Sequence, residues 1–383
     1  MSALIPVAFL QLRKQPRRLL IAVAGIAMSS LGILCQMGFE DSLFRSATRL
    51  YQEFDAELVV LSPQYQFMVL PAQFTQRRLY QALAVPGVES FSTLRLGIAP
   101  FKNPTTRINR NVYVVGVSGS ADAFTNPEWE AQRRSLKAPD EVLFDARSRP
   151  EFGDLVALFR AGAVQTEIAD RRVSIRGLFE MGASFSADGT AITTDEGFAR
   201  LFPQRNSQLV DLGLIHLRAN ADVRQILAKL QATLPRDVVV MTHDQLNERE
   251  QTYWRGTTPA GFIFKTILGI CLVVGCVSVY QILSSDVAEN LAQYATLKAL
   301  GYRDRYFLAL TFEKAWLLTS IAYPVGFVLS AIVYVGATHL TLVPLVMTSA
   351  RVIGVYAIIL TAACIAGAIA VNPLRRSDLS ELF

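Results

Sequence analysis

Three histidines, His216, His243 and His339, are the residues best suited to hold a metal, but they lie far apart and lack ligand spacing. They read as isolated surface or structural side chains. Carboxylates are plentiful, yet none form a recognisable acid–base pair, so a scattered, solvated surface is the expectation. There is no G-x-S-x-G elbow, no H-E-x-x-H and no G-x-x-x-x-G-K-[ST] loop. The chain cannot cradle nucleotide phosphates by that last route. If nucleotide hydrolysis drives it, another polypeptide must supply the ATPase. Tyr65, Phe67, Phe74, Tyr80 and Phe91 could line a substrate path, but strands and amphipathic helices need such residues for a core. Catalytic, cofactor-binding and metal-binding residues are therefore all expected to be none.

The elements that would carry any activity are mostly membrane elements. The chain has 383 residues, 51% hydrophobic and only 18% charged, with a positive mean hydropathy of +0.31. A soluble domain averages about 25% charged. The missing charge is concentrated in four long stretches. Residues 40–260 hold 25 Lys/Arg and 26 Asp/Glu, and the remainder holds 12 and 6. The basic pI therefore belongs to the membrane flanks and is not a nucleic-acid footprint. Cys35, Cys271, Cys276 and Cys364 all fall in the apolar stretches, so no disulfide framework is expected in the large polar domain.

Leu19 to Phe39 is free of charge, as is Thr266 to Ser285. About 20 apolar residues cross the ~30 Å hydrocarbon core as a helix. Ala315 to Ala350 and Val352 to Leu374 supply two more spans, with Arg351 marking the break and Pro324 expected to kink the third helix. The first stretch is too long for a cleaved signal peptide and reads as a signal anchor. The predicted layout is an interfacial cytoplasmic helix over 1–18, spans at 19–39, 261–285, 315–337 and 352–374, and an α+β domain at 40–260. A loop at 286–314, a short outer loop at 338–351 and a tail at 375–383 complete it. A frayed basic tail remains the other reading of residues 1–18. Arg13, Lys14, Arg17 and Arg18, then Lys298, Arg303, Arg305 and Lys314, then Arg375 and Arg376, place both termini and the 286–314 loop in the cytoplasm. Small residues at four-residue spacing, Gly25/Ser29, Gly326/Ser330 and Ala363/Gly367, permit close helix approach.

In the outer domain, helical continuation is expected over Arg45–Glu53, strands over Ala56–Leu61, Val88–Pro100 and Val112–Val117, and a helix over Gln73–Ala84. Near its end, strands Leu212–Leu217 and Val238–Met241 flank a helix over Val223–Leu234. This is a β–α–β pattern at each end. Between them, Val142–Phe144, Leu155–Phe159, Gln165–Ile168, Val173–Phe179 and Ala191–Thr193 read as short strands of an inserted, mostly β subdomain at about 120–205. The fold class is thus an α-helical membrane protein with four transmembrane helices (one plus three) and a large α+β extracytoplasmic domain of two subdomains.

The most informative segment is Asp286 to Arg305, DVAENLAQYATLKALGYRDR. Leu291, Tyr294, Ala295 and Lys298 share a helical face, and Gly301 is a natural stop. Such a helix can sit in a groove on a cytosolic partner. An ordinary connecting loop fits the periodicity equally well. The QYATLKALGY stretch resembles the cytoplasmic motif of FtsX/MacB-type permeases of ABC systems. With the LRKQPRRLL lead-in to the first span and the one-plus-three layout, the chain is more narrowly similar to the DevC-type permeases of cyanobacteria.

That resemblance implies a homodimeric permease in the bilayer, working with a separate DevA-like ABC ATPase that binds ATP and Mg. It also implies a periplasmic DevB-like membrane-fusion adaptor and a TolC-like outer-membrane channel, with no nucleic acid. The chain itself would bind no cofactor. Gln293, Ala295, Leu297, Lys298, Ala299, Leu300 and Gly301 would form or support the ATPase contact. Family members commonly carry Glu where Gln293 stands, so a salt bridge there is not expected. ATPase closure would be transmitted mechanically to the periplasmic domain of an inner-membrane protein, exporting a glycolipid or other amphipathic envelope substrate. Two other jobs share this topology: an FtsX-like subunit activating a cell-wall hydrolase, and a lipoprotein-releasing permease. The outer domain is larger than hydrolase activation needs, which favours export.

Overall fold

The computed structural model describes residues 16–119, 122–184, 187–341 and 345–371. Most of the expected N-terminal interfacial helix and the C-terminal tail lie outside these residues. The chain divides into two compact units, residues 1–42 with 259–383, and Leu43–Thr258. Among the described residues, helix α1, Pro16–Ala47, comes first, followed by a 3-10 turn at Arg49–Glu53. The expected helical continuation therefore changes character after Ala47.

In the second unit, strands β1 (Leu58–Leu61), β2 (Phe74–Thr75), β3 (Val88–Lys102), β4 (Asn109–Gly119) and β5 (Glu141–Asp145) come first, with helices α2 (Arg77–Leu83) and α3 (Pro127–Ser135) among them. Helix α4 (Leu155–Ala161), strands β6 (Val164–Ile168), β7 (Arg171–Phe179) and β8 (Thr190–Thr194), and helix α5 (Asp195–Leu201) follow. Strands β9 (Leu209–Val210), β10 (Leu212–Leu217) and β11 (Val239–Thr242) with helices α6 (Val223–Thr233) and α7 (His243–Gly256) complete the unit. One sheet runs in the order β11-β1-β10-β3-β4-β8-β5-β7-β6. The two expected β–α–β units interleave in it, since β1 pairs antiparallel with both β10 and β11. Leu58 and Val60 face α2 and α6 and pack with Leu79, Ile226 and Leu230, whereas Val59 and Leu61 join a second core on the opposite side.

The inserted strands do not stand apart from this sheet. Strand β8 pairs parallel with β4, and β6 returns to β3 at Phe101–Ile168 and Lys102–Glu167. Strands β3, β4, β8, β5, β7 and β6 thus close into a ring. Ala99, Phe101, Val112, Val114, Phe144, Ile168 and Ile175 form one buried cluster contributed by its strands. Closure removes edges that would otherwise expose unpaired backbone.

Two local expectations are corrected. Leu155–Phe159 is a helix, because Asp154 caps it by accepting from the Ala157 N–H at 2.9 Å, which sets a helical start that hydrophobicity alone does not signal. The expected Gln73–Ala84 helix is shorter, since Phe74–Thr75 pairs with Leu209–Val210 instead.

In the first unit, α1 is joined by α8 (Pro259–Glu289), α9 (Leu291–Ala299), α10 (Asp304–Thr341) and α11 (Ser349–Ala370). Among the described residues, four segments are long and apolar enough to cross a membrane: Leu19–Ala47, Pro259–Glu289, Arg305–Leu340 and Ser349–Ala370. Pro324 lies inside α10. The expected 286–314 loop is helical over most of its length, because α8 and α10 both run into it. The small residues set the packing. Ser29 Oγ donates to the Cys271 carbonyl at 2.8 Å, and a side chain at Gly25 or Gly275 would crowd Ser278 or Ser29. Gly326 lies against the Ala27 carbonyl, and Gly367 against Thr311 and Leu283. Such approaches maximise dispersion contacts where lipid leaves no hydrophobic gain between helices.

Candidate functional site

The segment singled out from the sequence folds into a short helix clamped between two long ones. Asn290 precedes α9 and donates from Nδ2 to the Asp286 carbonyl at 2.8 Å. At the other end, the Gly301 N–H reaches the Lys298 carbonyl at 3.0 Å and the Tyr302 N–H reaches the Leu297 carbonyl at 3.1 Å. This paired closure needs a left-handed residue, and Gly301 supplies it with φ of 93°. The chain then turns into α10.

Leu291, Tyr294 and Leu297 point inward to a small core with Val287, Phe307, Leu310 and Val371. The Tyr294 and Phe307 rings meet edge-on at 5.5 Å. Beneath them lies Lys314, only 1% exposed. Its ammonium pairs with the Asp286 carboxylate and donates to the Tyr294 hydroxyl at 3.2 Å. Burial, then the Asp286 charge and Tyr306, push the Tyr294 phenol well above its ordinary range. Three elements, α8, α9 and α10, are thereby tied at one buried cation.

Among the seven residues proposed from the resemblance, Gln293 and Leu300 face outward, with Leu300 72% exposed. Leu297 and Lys298 are half-buried, and Leu297 packs on the inner core. Ala295 and Ala299 lie on the same helix, and Gly301 forms its stop. The periodicity expected from the sequence missed the role of Asp286 and Lys314. They are 28 residues apart, and Lys314 carries no signal beyond its position at the edge of an apolar run.

Among the described residues no group of three or more His, Cys, Asp or Glu side chains could hold a metal ion. His243 opens α7 and bonds through Nε2 to the Tyr51 carbonyl. Tyr65 and Phe74 are core, Phe67 stacks on Tyr253 at 5.2 Å, and Tyr80 is exposed against Phe91. The second unit also buries a carboxylate. Glu250 accepts from the Met68 N–H at 3.2 Å, from Trp254 Nε1 at 3.3 Å and from the Tyr51 hydroxyl, which also meets the Tyr65 hydroxyl at 2.5 Å. Burial raises the Glu250 carboxyl to about 7, although those hydrogen bonds oppose the rise.

Residues 265–379 match the family model of the FtsX-like permease C-terminal region. No curated protein matches the chain. Among solved structures, the extracellular domain of the noncanonic ABC-type transporter YknZ from Gram-positive bacteria is similar at a TM-score of 0.32 and 10% identity, over 49% of this chain and 99% of that one. The periplasmic region of MacB from Actinobacillus actinomycetemcomitans is similar at a TM-score of 0.35 and 5% identity, over 51% of this chain and 92% of that one. The segment holding α9, α10, α11 and most of α8, with the buried Lys314, is thus similar to the C-terminal region of FtsX-like permeases.

Proposed function

We propose that this chain is the membrane permease subunit of an ATP-driven ABC exporter, with its ATPase on a separate polypeptide. The match of residues 265–379 to the FtsX-like permease C-terminal region carries the reading. In it, α9 is the ATPase-coupling helix and faces the cytoplasm, in keeping with the basic residues around it. Gln293 and Leu300 touch the ATPase, while Leu297, Lys298 and Gly301, with Ala295 and Ala299 on the same helix, hold the contact surface in shape.

Closure of the ATPase pushes α9, and the Lys314–Asp286–Tyr294 cluster passes the displacement to α8 and α10 together. A cation buried between two partners resists being pulled apart, because separation would leave uncompensated charge. The second unit lies outside the cytoplasm and moves cargo without hydrolysing anything. The cargo is a glycolipid or another amphipathic envelope molecule of a DevC-type system, with an adaptor and an outer-membrane channel as further partners in an inner membrane.

The test is purification of the tagged chain from its host in mild detergent, with mass spectrometry of everything that co-elutes. An ABC ATPase with a membrane-fusion-type adaptor is the expected result. An ATPase accompanied by a cell-wall hydrolase or its activator would replace export with mechanical signalling.

A further inference from the structure

A cavity of about 640 Å³ opens in the second unit between α3, α4 and the end of β7. Ligand sites usually fall between roughly 300 and 1,000 Å³. Trp129 and Phe179, with rings 4.8 Å apart, belong to its lining, as do Val156, Phe159 and Leu178. A β-bulge shapes it. Val142 pairs with Ile175 but Leu143 pairs with Gly177, leaving Arg176 as an extra residue on β7. The bulge reverses the alternation, so that Leu178 joins the cluster of Ile175 while Phe179 faces the other core.

Gly177 then lies directly beneath the Gln132 side chain, where any Cβ would collide with Oε1. That oxygen is buried and accepts no hydrogen bond among the described residues. Orphaned buried acceptors are rare and costly, and a ligand donor is one way to satisfy them. The charges around it are specific. Arg176 is paired with Glu141 at 2.8 Å and Glu180 with Arg147 at 2.7 Å. Arg160 and Glu128, both exposed at the cavity, have no side-chain partner among the described residues. The cavity thus presents one unsatisfied acceptor at Gln132, an exposed carboxylate at Glu128, an exposed guanidinium at Arg160 and apolar side chains at Phe159 and Leu178.

We propose that this cavity binds a zwitterionic amphipath whose cation is a primary ammonium. The ammonium donates to Gln132 Oε1 and faces Glu128, the anion meets Arg160, and the apolar part lies along Val156, Phe159 and Leu178. Ethanolamine phospholipids and free apolar amino acids share this chemistry. The inference is independent of ATPase coupling, because it concerns binding within the second unit alone.

The test uses the full chain in nanodiscs that lack ethanolamine lipids. Dihexanoylphosphatidylethanolamine, dihexanoylphosphatidylcholine and phenylalanine are titrated separately by calorimetry. The choline headgroup keeps both charges but has no N–H to donate. Saturable binding of the ethanolamine lipid, at least tenfold tighter than the choline lipid, is the expected result. Saturable binding of phenylalanine with the same variant dependence also supports the site and assigns it to a free zwitterion. Gln132→Leu and Arg160→Ser should each weaken binding at least tenfold. Gln132→Leu removes an orphaned acceptor, so its melting temperature should equal or exceed that of the parent, and Arg160 is exposed, so its replacement should fold normally. Equal binding of the two lipids, binding indifferent to both variants, or no saturable binding of any probe would overturn the proposal.

Discussion

Arg351 Nη2 and Asp41 Oδ2 lie 2.6 Å apart, joining the first turn of α11 to α1 across 310 positions of sequence. The guanidinium also donates to the Val346 carbonyl at 2.7 Å, and the nearby Tyr334 hydroxyl donates to the Leu34 carbonyl at 2.6 Å. Arg351 reads from sequence as a mere break between apolar runs. In the structure it is 9% exposed and paired. Removing one member of a buried pair costs about 3–5 kcal/mol, because the other charge is left uncompensated. Asp41→Asn and Arg351→Met should each lower the melting temperature in detergent. The double variant should be more stable than the sum of the two losses requires, and simple additivity would show that the pair is not coupled.

The same physics applies to Lys314. Lys314→Met should destabilise the α8–α9–α10 junction by about 3–5 kcal/mol through the stranded Asp286. Adding Asp286→Leu should recover most of the loss in a thermal melt. Under the export reading, coupled ATPase activity should fall in both variants, because the double variant restores stability without restoring the tie to Tyr294. Normal coupling in a stable double variant would remove Lys314 from the transmission path.

Leu297 and Leu300 are close in sequence but differ in role. Leu300→Asp places a charge on a side chain that is 72% exposed, so the melting temperature should hold while ATPase co-purification falls at least tenfold. Leu297→Asp buries a charge in the small core around Tyr294 and should lower stability directly. Pull-down yields measured beside melting curves separate the two effects. Retained ATPase binding by Leu300→Asp at full expression would sink the docking assignment.

Glu250 makes the second unit sensitive to pH. Its folded carboxyl titrates near 7, above an ordinary value of 4.5. The folded state therefore holds a proton that the unfolded chain has already released between those values. The stabilisation is fully present below pH 4.5 and is lost as pH rises through about 7. Its size is about 3 kcal/mol, from 1.36 kcal/mol per pH unit. Unfolding followed by near-ultraviolet dichroism should show this decline, and Glu250→Gln should flatten it. An unchanged slope in the Gln variant would assign the decline to other groups.

Periodicity and composition, by themselves, determined the elements that depend on local chemistry. An uncharged run of about 20 residues has one low-energy solution in hydrocarbon, a helix with its backbone bonds satisfied internally. Val223–Leu234 and the strands around it were legible for a similar reason, since one face of each must leave water. The stop at Gly301 was legible because few residues adopt a positive φ without strain. The helix at Leu155 was missed because its signal is one capping aspartate rather than a hydrophobic period. Closure of the ring between β3 and β6, the clamp of Lys314 on Asp286 and Tyr294, and the Gly177 hollow beneath Gln132 join residues from about 20 to more than 60 positions apart. No local preference encodes such pairings. They were decided only by the tertiary structure, where burial removes water as a competing partner and makes each unpaired charge or amide costly enough to select its neighbour.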